Sequence, residues 1–171
     1  ERALGWNPHG MLVCTPSHRH MEPAIRALAH GIDVFVEKPI AHEIGQGVEM
    51  LRRMTEQKMI ILVGCNLRFL RSLQLMRSWL SQMTVGSPRF ARVRVSSFLP
   101  GWHPDQDYRQ SYRSRRAQGG GVALDLIHEF DYTLWFFGRA IRVRGHGSKT
   151  GLLDVDCEDT VDAVTQFESG V

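Results

Sequence analysis

Hydrophobic runs alternate with amphipathic stretches through the first part of the chain. Runs at Met11–Cys14, Ile32–Glu37 and Met59–Val63 are rich in hydrophobic residues, as buried strands are. Helical spacing of hydrophobic residues separates these runs, over about His20–His30 and Glu43–Gln57. Strands that are hydrophobic without alternation and separated by helices are typical of a parallel sheet covered on both faces. The pattern therefore predicts an α/β layer.

The hydrophobic period changes in the second part of the chain, after a helical pattern over Leu70–Met83. Phe90–Phe98 alternates hydrophobic and polar residues, as a half-exposed strand does. Val122–Phe137 has helical spacing, and Ile141–Gly147 and Thr160–Phe167 are strand candidates. The second part is therefore predicted to be α+β, with a helix laid on a mainly antiparallel sheet.

The change of pattern places a domain boundary near Leu67, which divides the chain into segments 1–67 and 68–171. Both ends of the chain have the pattern of interrupted elements. Glu1–Trp6 resembles the end of a helix, and Ser169-Gly170 is a hairpin turn signal directly before the last residue. We therefore expect the sequence to be a fragment of a longer protein.

The composition of the chain limits the kinds of molecule that it is expected to bind. The chain has 171 residues, and its net charge of +3 rests on 21 Lys plus Arg against 18 Asp plus Glu, with Lys only at positions 38, 58 and 149. No hydrophobic run approaches the roughly 18 residues of a membrane span, and no basic stripe is interleaved with aromatic residues as on a nucleic-acid surface. We expect no membrane and no nucleic-acid partner. Small anionic ligands are compatible with the excess of Arg.

The three cysteines, Cys14, Cys65 and Cys157, lie far apart in the sequence, with no C-x-x-C motif and no paired histidine spacing. We interpret them as buried thiols in a reducing compartment, not as disulfides or zinc ligands. The expected location is cytoplasmic, and no metal is expected.

Two polar segments follow predicted strands directly. Glu37-Lys38-Pro39 closes the second strand, and ligands of open parallel sheets bind outside the carboxyl ends of the strands. Pro39 favours an extended backbone at Lys38, which places an ammonium at that edge. Thr15–His20 follows the first strand in the same way. Each segment also has a purely structural interpretation. Lys38 would then be a solvated lysine at the end of a strand, and Thr15–His20 would be an ordinary helix start.

Three glycines, Gly119–Gly121, precede Asp125, His128 and Asp131, which are spaced three residues apart on one predicted helix face. Polar groups on a buried helix cost about 1–3 kcal/mol each unless they are paired. A carboxylate beside an imidazole holds its tautomer and raises its pKa, which suits proton transfer near neutral pH. A capped helix with a hydrogen-bonded structural histidine is the alternative interpretation.

Taken in order, five segments resemble the Gfo/Idh/MocA family of NAD(P)-dependent oxidoreductases. They are Thr15–His20, Gly31–Pro39, Val63–Phe69, Gly119–Asp131 and Glu158–Gly170. The resemblance implies a partial Rossmann domain, followed by a partial α+β domain that contacts substrate and forms subunit interfaces in a homo-oligomer. It also implies NAD or NADP as cofactor. The glycine-rich G-x-G-x-x-G loop that normally holds the dinucleotide phosphates is not in this sequence.

The resemblance assigns roles to individual residues. The catalytic residues it implies are Lys38, Asp125 and His128. The cofactor-lining residues it implies are Thr15, Pro16, His20, Glu37 and Asn66. Many family members space the acid and the histidine of the catalytic helix four residues apart, whereas the spacing is three in this sequence.

The long irregular stretch from Leu99 to Gly121 is the other candidate part of the site, because a loop of this length inside a domain is usually functional or disordered. A solvated, arginine-rich loop is an equally good interpretation. The residues predicted to contact a sugar substrate are Arg68, Trp102, Tyr108, Arg109 and Tyr112.

The predicted reaction is reversible hydride transfer between a nicotinamide and a hydroxyl-bearing carbon of a sugar, sugar derivative or polyol. His128, polarised by Asp125, would take the hydroxyl proton, and Lys38 would stabilise the developing alkoxide. This hypothesis requires Lys38 and His128 to converge at one cleft. The alternatives are an NAD-dependent glycosidase of the same family and a non-catalytic truncated homologue that serves as an interaction domain.

Overall fold

The computed structural model describes residues 4–171, and its first part is a three-stranded parallel sheet in the order β1-β2-β3. The strands are β1 (Gly10–Val13), β2 (Asp33–Val36) and β3 (Ile61–Val63). Their register pairs the last residue of each strand with the last residue of its neighbour, so the three strands end side by side. The predicted parallel sheet is confirmed, and its carboxyl edge is a single row of strand ends.

Helices α1 (Met21–Ala29) and α2 (Ile44–Gln57) complete the core of this part. Helix α1 buries Ala24 and Leu28, as its hydrophobic spacing predicts. Helix α2 leaves Ile44, Val48 and Leu51 more than half exposed and instead contributes Met50, which is fully buried like Leu28. Complete burial of one such side chain stabilises the fold by about 1.5–3 kcal/mol. Gly31 follows α1 with a φ of +71°, a conformation that favours glycine and ends the helix.

The other face of the parallel sheet is open among the described residues. Leu12 is 74% exposed and Leu62 is 54% exposed. Alternate residues of a strand share a face, and no described helix covers the face on which these two side chains lie. The predicted burial of Cys14 is wrong, because Cys14 follows Leu12 by two residues and is exposed.

The second part is built from α3 (Arg71–Ser81), α4 (Val122–Asp125), α5 (His128–Phe137), β4 (Ala140–Ser148) and β5 (Thr160–Phe167). The two strands pair antiparallel along their whole length. At the end of α5 the ring of Phe137 lies 5.5 Å from the ring of Phe167, which joins the end of the helix to the end of the sheet. The predicted α+β arrangement is confirmed. No helix in the described range is long and hydrophobic enough to cross a membrane.

The predictions for the two ends of the chain have different outcomes in the structure. At the carboxyl end the Gly170 amide donates to the Phe167 carbonyl at 3.0 Å, so the predicted turn at Ser169-Gly170 is present. At the amino end Leu4–Trp6 form one 3-10 turn. The rest of the predicted helix end, at residues 1–3, lies outside the described residues.

Two predicted elements of this part differ from the structure. Phe90–Phe98 forms no strand, and Phe90 is 78% exposed. A strand needs a neighbour to accept its backbone hydrogen bonds, and no described strand pairs with this segment. The predicted helix over Val122–Phe137 is interrupted at Leu126, whose φ of −100° and ψ of 36° are not helical.

The cause of the interruption is a side chain from the first part of the chain. In a continuous helix the Asp125 carbonyl would accept from the Glu129 amide, four residues on. The Lys38 ammonium donates to that carbonyl instead, and the Glu129 amide turns to the carbonyl of Leu126 at 3.4 Å. A helix that the sequence predicts as one element is therefore divided into α4 and α5 at the candidate site.

The stretch from Leu99 to Gly121 is irregular, as predicted, and consists largely of single 3-10 turns. Two successive turns begin with the same type of cap. The Asp107 side chain accepts from the Arg109 amide, and the Ser111 side chain accepts from the Arg113 amide. These caps satisfy backbone donors locally and give the loop a defined path.

Candidate active site

The carboxyl edge of the parallel sheet collects the polar segments that follow β1, β2 and β3. Thr15 and Asn66 are exposed there, and Glu37 and Lys38 are partly buried between them. The Lys38 amide donates to Glu37 Oε2 at 3.3 Å. Because the three strands end side by side, these side chains lie along one edge, as the sequence predicts.

His20 has a different place from its neighbours on this edge. It is 1% exposed, and each ring nitrogen lies 2.8 Å from a backbone carbonyl oxygen, Nδ1 from that of Pro39 and Nε2 from that of Thr15. Both polar atoms of the ring are therefore used inside the protein. His20 joins the turns after β1 and β2, and it has no ring nitrogen left for the cofactor contact that the resemblance implies.

The Lys38 side chain extends from the sheet edge to Asp125, in the second part of the chain. Its ammonium donates to the main-chain carbonyl of Asp125, and Nζ lies 3.6 Å from Asp125 Oδ1. The Lys38 side chain is 21% exposed and that of Asp125 is 11% exposed. The two predicted catalytic residues are thus in direct contact, largely shielded from water.

Asp125 does not pair with His128, which corrects the sequence prediction. Its carboxylate lies between two cations, with Oδ1 near Lys38 and Oδ2 3.3 Å from Arg113 Nε. No hydrogen bond joins Asp125 to His128 among the described residues, and α4 ends between them. His128 is therefore not polarised by this carboxylate.

His128 is the first residue of α5 and lies within reach of the Lys38 charge. Burial and the positive charge of Lys38 together lower the pKa of His128 below its ordinary 6.5, against the opposing effect of nearby carboxylates. Its Nδ1 is buried and has no hydrogen-bond partner among the described residues. The structure brings Lys38 and His128 together, and the shift of the His128 pKa is opposite to the predicted one.

Asp131 forms a separate pair with Arg68. The guanidinium donates to both carboxylate oxygens, from Nε at 2.8 Å and from Nη2 at 2.6 Å. Burial and the adjacent Asp131 raise the pKa of the Cys65 thiol to about 11, so Cys65 is an unreactive thiol. Asp131 is therefore held by Arg68, and the predicted substrate contact of Arg68 competes with this bidentate ion pair.

Only part of the predicted sugar-contacting set reaches the cluster. The Tyr112 ring lies at the cluster, with its centroid 4.8 Å from the central guanidinium carbon of Arg113. Burial raises the pKa of Tyr112, against the opposing charge of Arg113. Tyr108 and Arg109 do not reach the cluster. The Tyr108 hydroxyl accepts from the Asp154 amide at 3.1 Å, and the exposed Arg109 pairs with Asp107 at 2.8 Å.

Trp102 and Asp125 line a small, partly open pocket of about 60 Å³. The indole Nε1 donates to Ser97 Oγ, and the ring centroid lies 5.6 Å from the Arg113 guanidinium carbon. Leu99 and Val122 add hydrophobic wall. A small, partly hydrophobic group fits this space beside Asp125.

Arg113 is the residue of the cluster that sequence reasoning missed. A signal was present, because Ser111-Tyr112-Arg113 repeats the pattern of Asp107-Tyr108-Arg109 four residues earlier. Among so many arginines, however, the pattern does not show which copy is buried.

Comparison with known proteins identifies the family to which both parts of the chain belong. A family model for the GFO/IDH/MocA C-terminal domain matches residues 73–171, more than half of the chain. A model for an oxidoreductase family with an NAD-binding Rossmann fold matches residues 3–65. The chain belongs to the Gfo/Idh/MocA family. Its parallel sheet corresponds to the NAD-binding Rossmann fold of this family, and the resemblance inferred from five short segments is confirmed.

Relatives within the Gfo/Idh/MocA family act on carbohydrates. Myo-inositol 2-dehydrogenase from Thermotoga maritima is 28% identical over 96% of this chain and 48% of its own length. A 2,7-anhydro-N-acetylneuraminate hydratase from Mediterraneibacter gnavus is 30% identical over 75% of this chain and 33% of its own length. The crystal structure of an NAD-binding protein from Listeria innocua is 25% identical, with a TM-score of 0.78 over 95% of this chain and 44% of that one. The chain thus spans less than half the length of these relatives.

Proposed function

We propose that this chain forms the reacting part of an oxidoreductase that interconverts a hydroxyl-bearing carbon and a carbonyl in a sugar or polyol. The observation that carries the proposal is the contact of the Lys38 ammonium with Asp125 beside His128, which unites the sheet edge and the second part at one cluster. A relative that is a polyol dehydrogenase supports this substrate class.

The sheet edge fits the nicotinamide end of the cofactor. Gly64 packs so closely on the Glu37 side chain that a Cβ there would lie 3.1 Å from Oε2, which keeps the edge free of side-chain bulk. Thr15, Pro16 and Asn66 would line the same opening. When bound, the nicotinamide supplies hydride acceptance and donation, and the protein residues supply its position.

His128 is suited to accept the hydroxyl proton at Nε2. A base must be unprotonated to act, and a lowered pKa keeps the imidazole neutral at pH 7. Lys38 is suited to donate to the same substrate oxygen as negative charge develops on it. Tyr112 and Trp102, at the edge of the cluster, would contact the sugar ring through their aromatic faces.

Replacement of Lys38 should move the titration of His128. Lys38→Gln removes a positive charge that opposes protonation, so we expect the pKa of His128 to rise toward its ordinary 6.5. Burial still lowers the pKa, so the return should be partial. Titration of the His128 ring proton by NMR, assigned with His128→Gln, measures the shift directly. The acid limb of the pH–rate profile for alcohol oxidation should move to higher pH in parallel.

Lys38→Arg, which keeps the charge, and Lys58→Gln, which removes a charge from an exposed lysine, are the matched controls. Both should leave the His128 titration close to that of the wild type. A His128 pKa that is the same in Lys38→Gln and wild type would show that the two groups do not interact.

The substrate class is tested by assaying the intact protein with NAD⁺ and NADP⁺ against a panel of cyclitols, free sugars, anhydrosugars and nucleotide sugars. Formation of reduced nicotinamide with one of these compounds is the expected result. The His128→Gln variant serves as the control for background oxidation. Absence of turnover with every class, in protein that binds the cofactor, would contradict the proposal.

A reaction without net oxidation is the second candidate, because the relative from M. gnavus is named a hydratase. The same panel separates the two candidates. Conversion of a substrate while the nicotinamide stays bound and unchanged in amount would favour the second candidate. Stoichiometric formation of reduced nicotinamide would favour the first.

A further inference from the structure

Arg113 contacts the reacting cluster although no predicted role includes it. Its Nε lies 3.3 Å from Asp125 Oδ2, while Lys38 Nζ lies 3.6 Å from Oδ1 of the same carboxylate. With Asp125 only 11% exposed, this carboxylate is divided between two cations and is largely withdrawn from water. Two positive charges and one negative charge leave this group of three residues with one net positive charge.

The backbone of Arg113 is fixed by three separate contacts. Its carbonyl accepts from the Gly121 amide at 3.1 Å and from Cys157 Sγ at 3.3 Å, and its amide donates to Ser111 Oγ at 3.3 Å. Gly121 is also the residue whose carbonyl accepts from the Asp125 amide at 3.0 Å. The relative position of Arg113 and Asp125 is therefore fixed by backbone hydrogen bonds as well as by the contact between their side chains.

The guanidinium of Arg113 is also held on both neighbouring aromatic rings. Its central carbon lies 4.8 Å from the ring centroid of Tyr112 and 5.6 Å from that of Trp102. Such cation–π contacts contribute about 0.5–2 kcal/mol and restrict a long side chain to few conformations. These contacts hold the guanidinium beside the Asp125 carboxylate, with Nε buried and in ion-pair contact but not hydrogen bonded among the described residues.

We propose that Arg113 is a positioning residue that shares the Asp125 carboxylate with Lys38 and so leaves the Lys38 ammonium available to the substrate oxygen. The inference rests on the proposed role of Lys38. Without Arg113, the carboxylate would belong to Lys38 alone. A neutral ammonium–carboxylate pair stabilises a developing oxyanion less than an ammonium whose counter-ion is shared.

The surroundings favour this role over recognition of an anionic substrate group by Arg113. The pocket beside its guanidinium is lined by the carboxyl residues Asp125, Glu158 and Asp159. Like charges that face one another in a shielded site are unfavourable, so an anionic substituent would meet repulsion there. The charge of Arg113 is directed to a carboxylate of the protein instead.

The kinetic test uses the intact protein and a substrate from the panel above. Arg113→Gln is expected to lower kcat about 10- to 100-fold with little change in KM, because the lost effect belongs to the transition state. Arg113→Lys, which restores the charge, should recover most of the activity. Arg115→Gln removes an exposed positive charge two residues away and should leave kcat unchanged.

The deciding test does not depend on turnover. Brief treatment of the cofactor-free protein with acetic anhydride, followed by mass spectrometry, gives the acetylation rate of Lys38 relative to the exposed Lys58 and Lys149. Arg113→Gln should slow acetylation of Lys38 several-fold, because Asp125 then holds the ammonium alone. Arg113→Lys should restore the wild-type ratio. An unchanged ratio in folded Arg113→Gln would overturn the proposal, whatever the activity.

Asp125→Asn shows whether Arg113 acts through the carboxylate. In this background Lys38 should be acetylated faster, and the further change Arg113→Gln should have no effect on the ratio. An equal effect of Arg113→Gln in both backgrounds would overturn the proposal, since Arg113 would then act on Lys38 directly. If labelling follows the expectation and the panel gives no turnover, the charge sharing stands and the proposed function is wrong.

Discussion

Lys38→Met in the intact protein is expected to lower kcat about 100- to 1,000-fold, the usual loss when one donor to a developing oxyanion is removed. The ammonium is the group that the structure extends from the sheet edge to Asp125 and to the vicinity of His128. Methionine keeps most of the side-chain volume but cannot donate. Steady-state kinetics measures the loss.

Lys38→Met should lower the free energy of unfolding by about 1–3 kcal/mol, because the largely shielded carbonyl and carboxylate of Asp125 lose a donor, although Arg113 still contacts the carboxylate. Urea denaturation checks this. Lys149→Met is the matched control, since Lys149 is exposed and distant in sequence from the cluster. If Lys38→Met keeps the wild-type kcat, Lys38 has no part in the chemistry.

Gly120→Ala should destabilise the fold by about 3 kcal/mol or more, at the upper end of the range for overpacked sites. A Cβ at this position would lie 2.4 Å from the carbonyl oxygen of Arg113 and 2.6 Å from that of Tyr112. Both neighbours are backbone atoms, so no side chain can rotate away to make room. The midpoint of urea denaturation is the measurement.

Gly45→Ala is the control for this substitution. Gly45 lies in α2, and nothing is within 4 Å of the position that a Cβ would occupy. Alanine is the better helix former by about 0.5–1 kcal/mol, so this variant should be as stable as the wild type or more stable. Equal denaturation midpoints for Gly120→Ala and wild type would mean that the loop relaxes freely at Gly120.

Sequence reasoning succeeded where an element and its neighbours are close in the chain. β1, α1 and β2 follow one another directly, and each carries the period of its own structure, so the parallel sheet could be predicted. It failed for Phe90–Phe98, because alternation describes the two faces of a strand and says nothing about a partner. The break at Leu126 was also hidden, since its cause, Lys38, lies 87 residues before Asp125.

The candidate site divides in the same way. Strand ends predicted which segments meet at the sheet edge, because register alone decides that. The partner of Asp125 depends instead on the path of the irregular loop that carries Arg113. A spacing of three along a presumed helix pointed to His128, and that argument lost its basis once the helix proved to be divided.

The hydrogen bond from Lys38 to the Asp125 carbonyl links the backbone between α4 and α5 to the carboxyl edge of the parallel sheet. If the two parts of the chain separate, that carbonyl is released and the amide of Glu129 can take its place, which would fuse α4 and α5 into one continuous rod. His128, at the junction, would turn with it. The contact between the two parts of the chain and the placement of His128 at the start of α5 therefore depend on the same hydrogen bond.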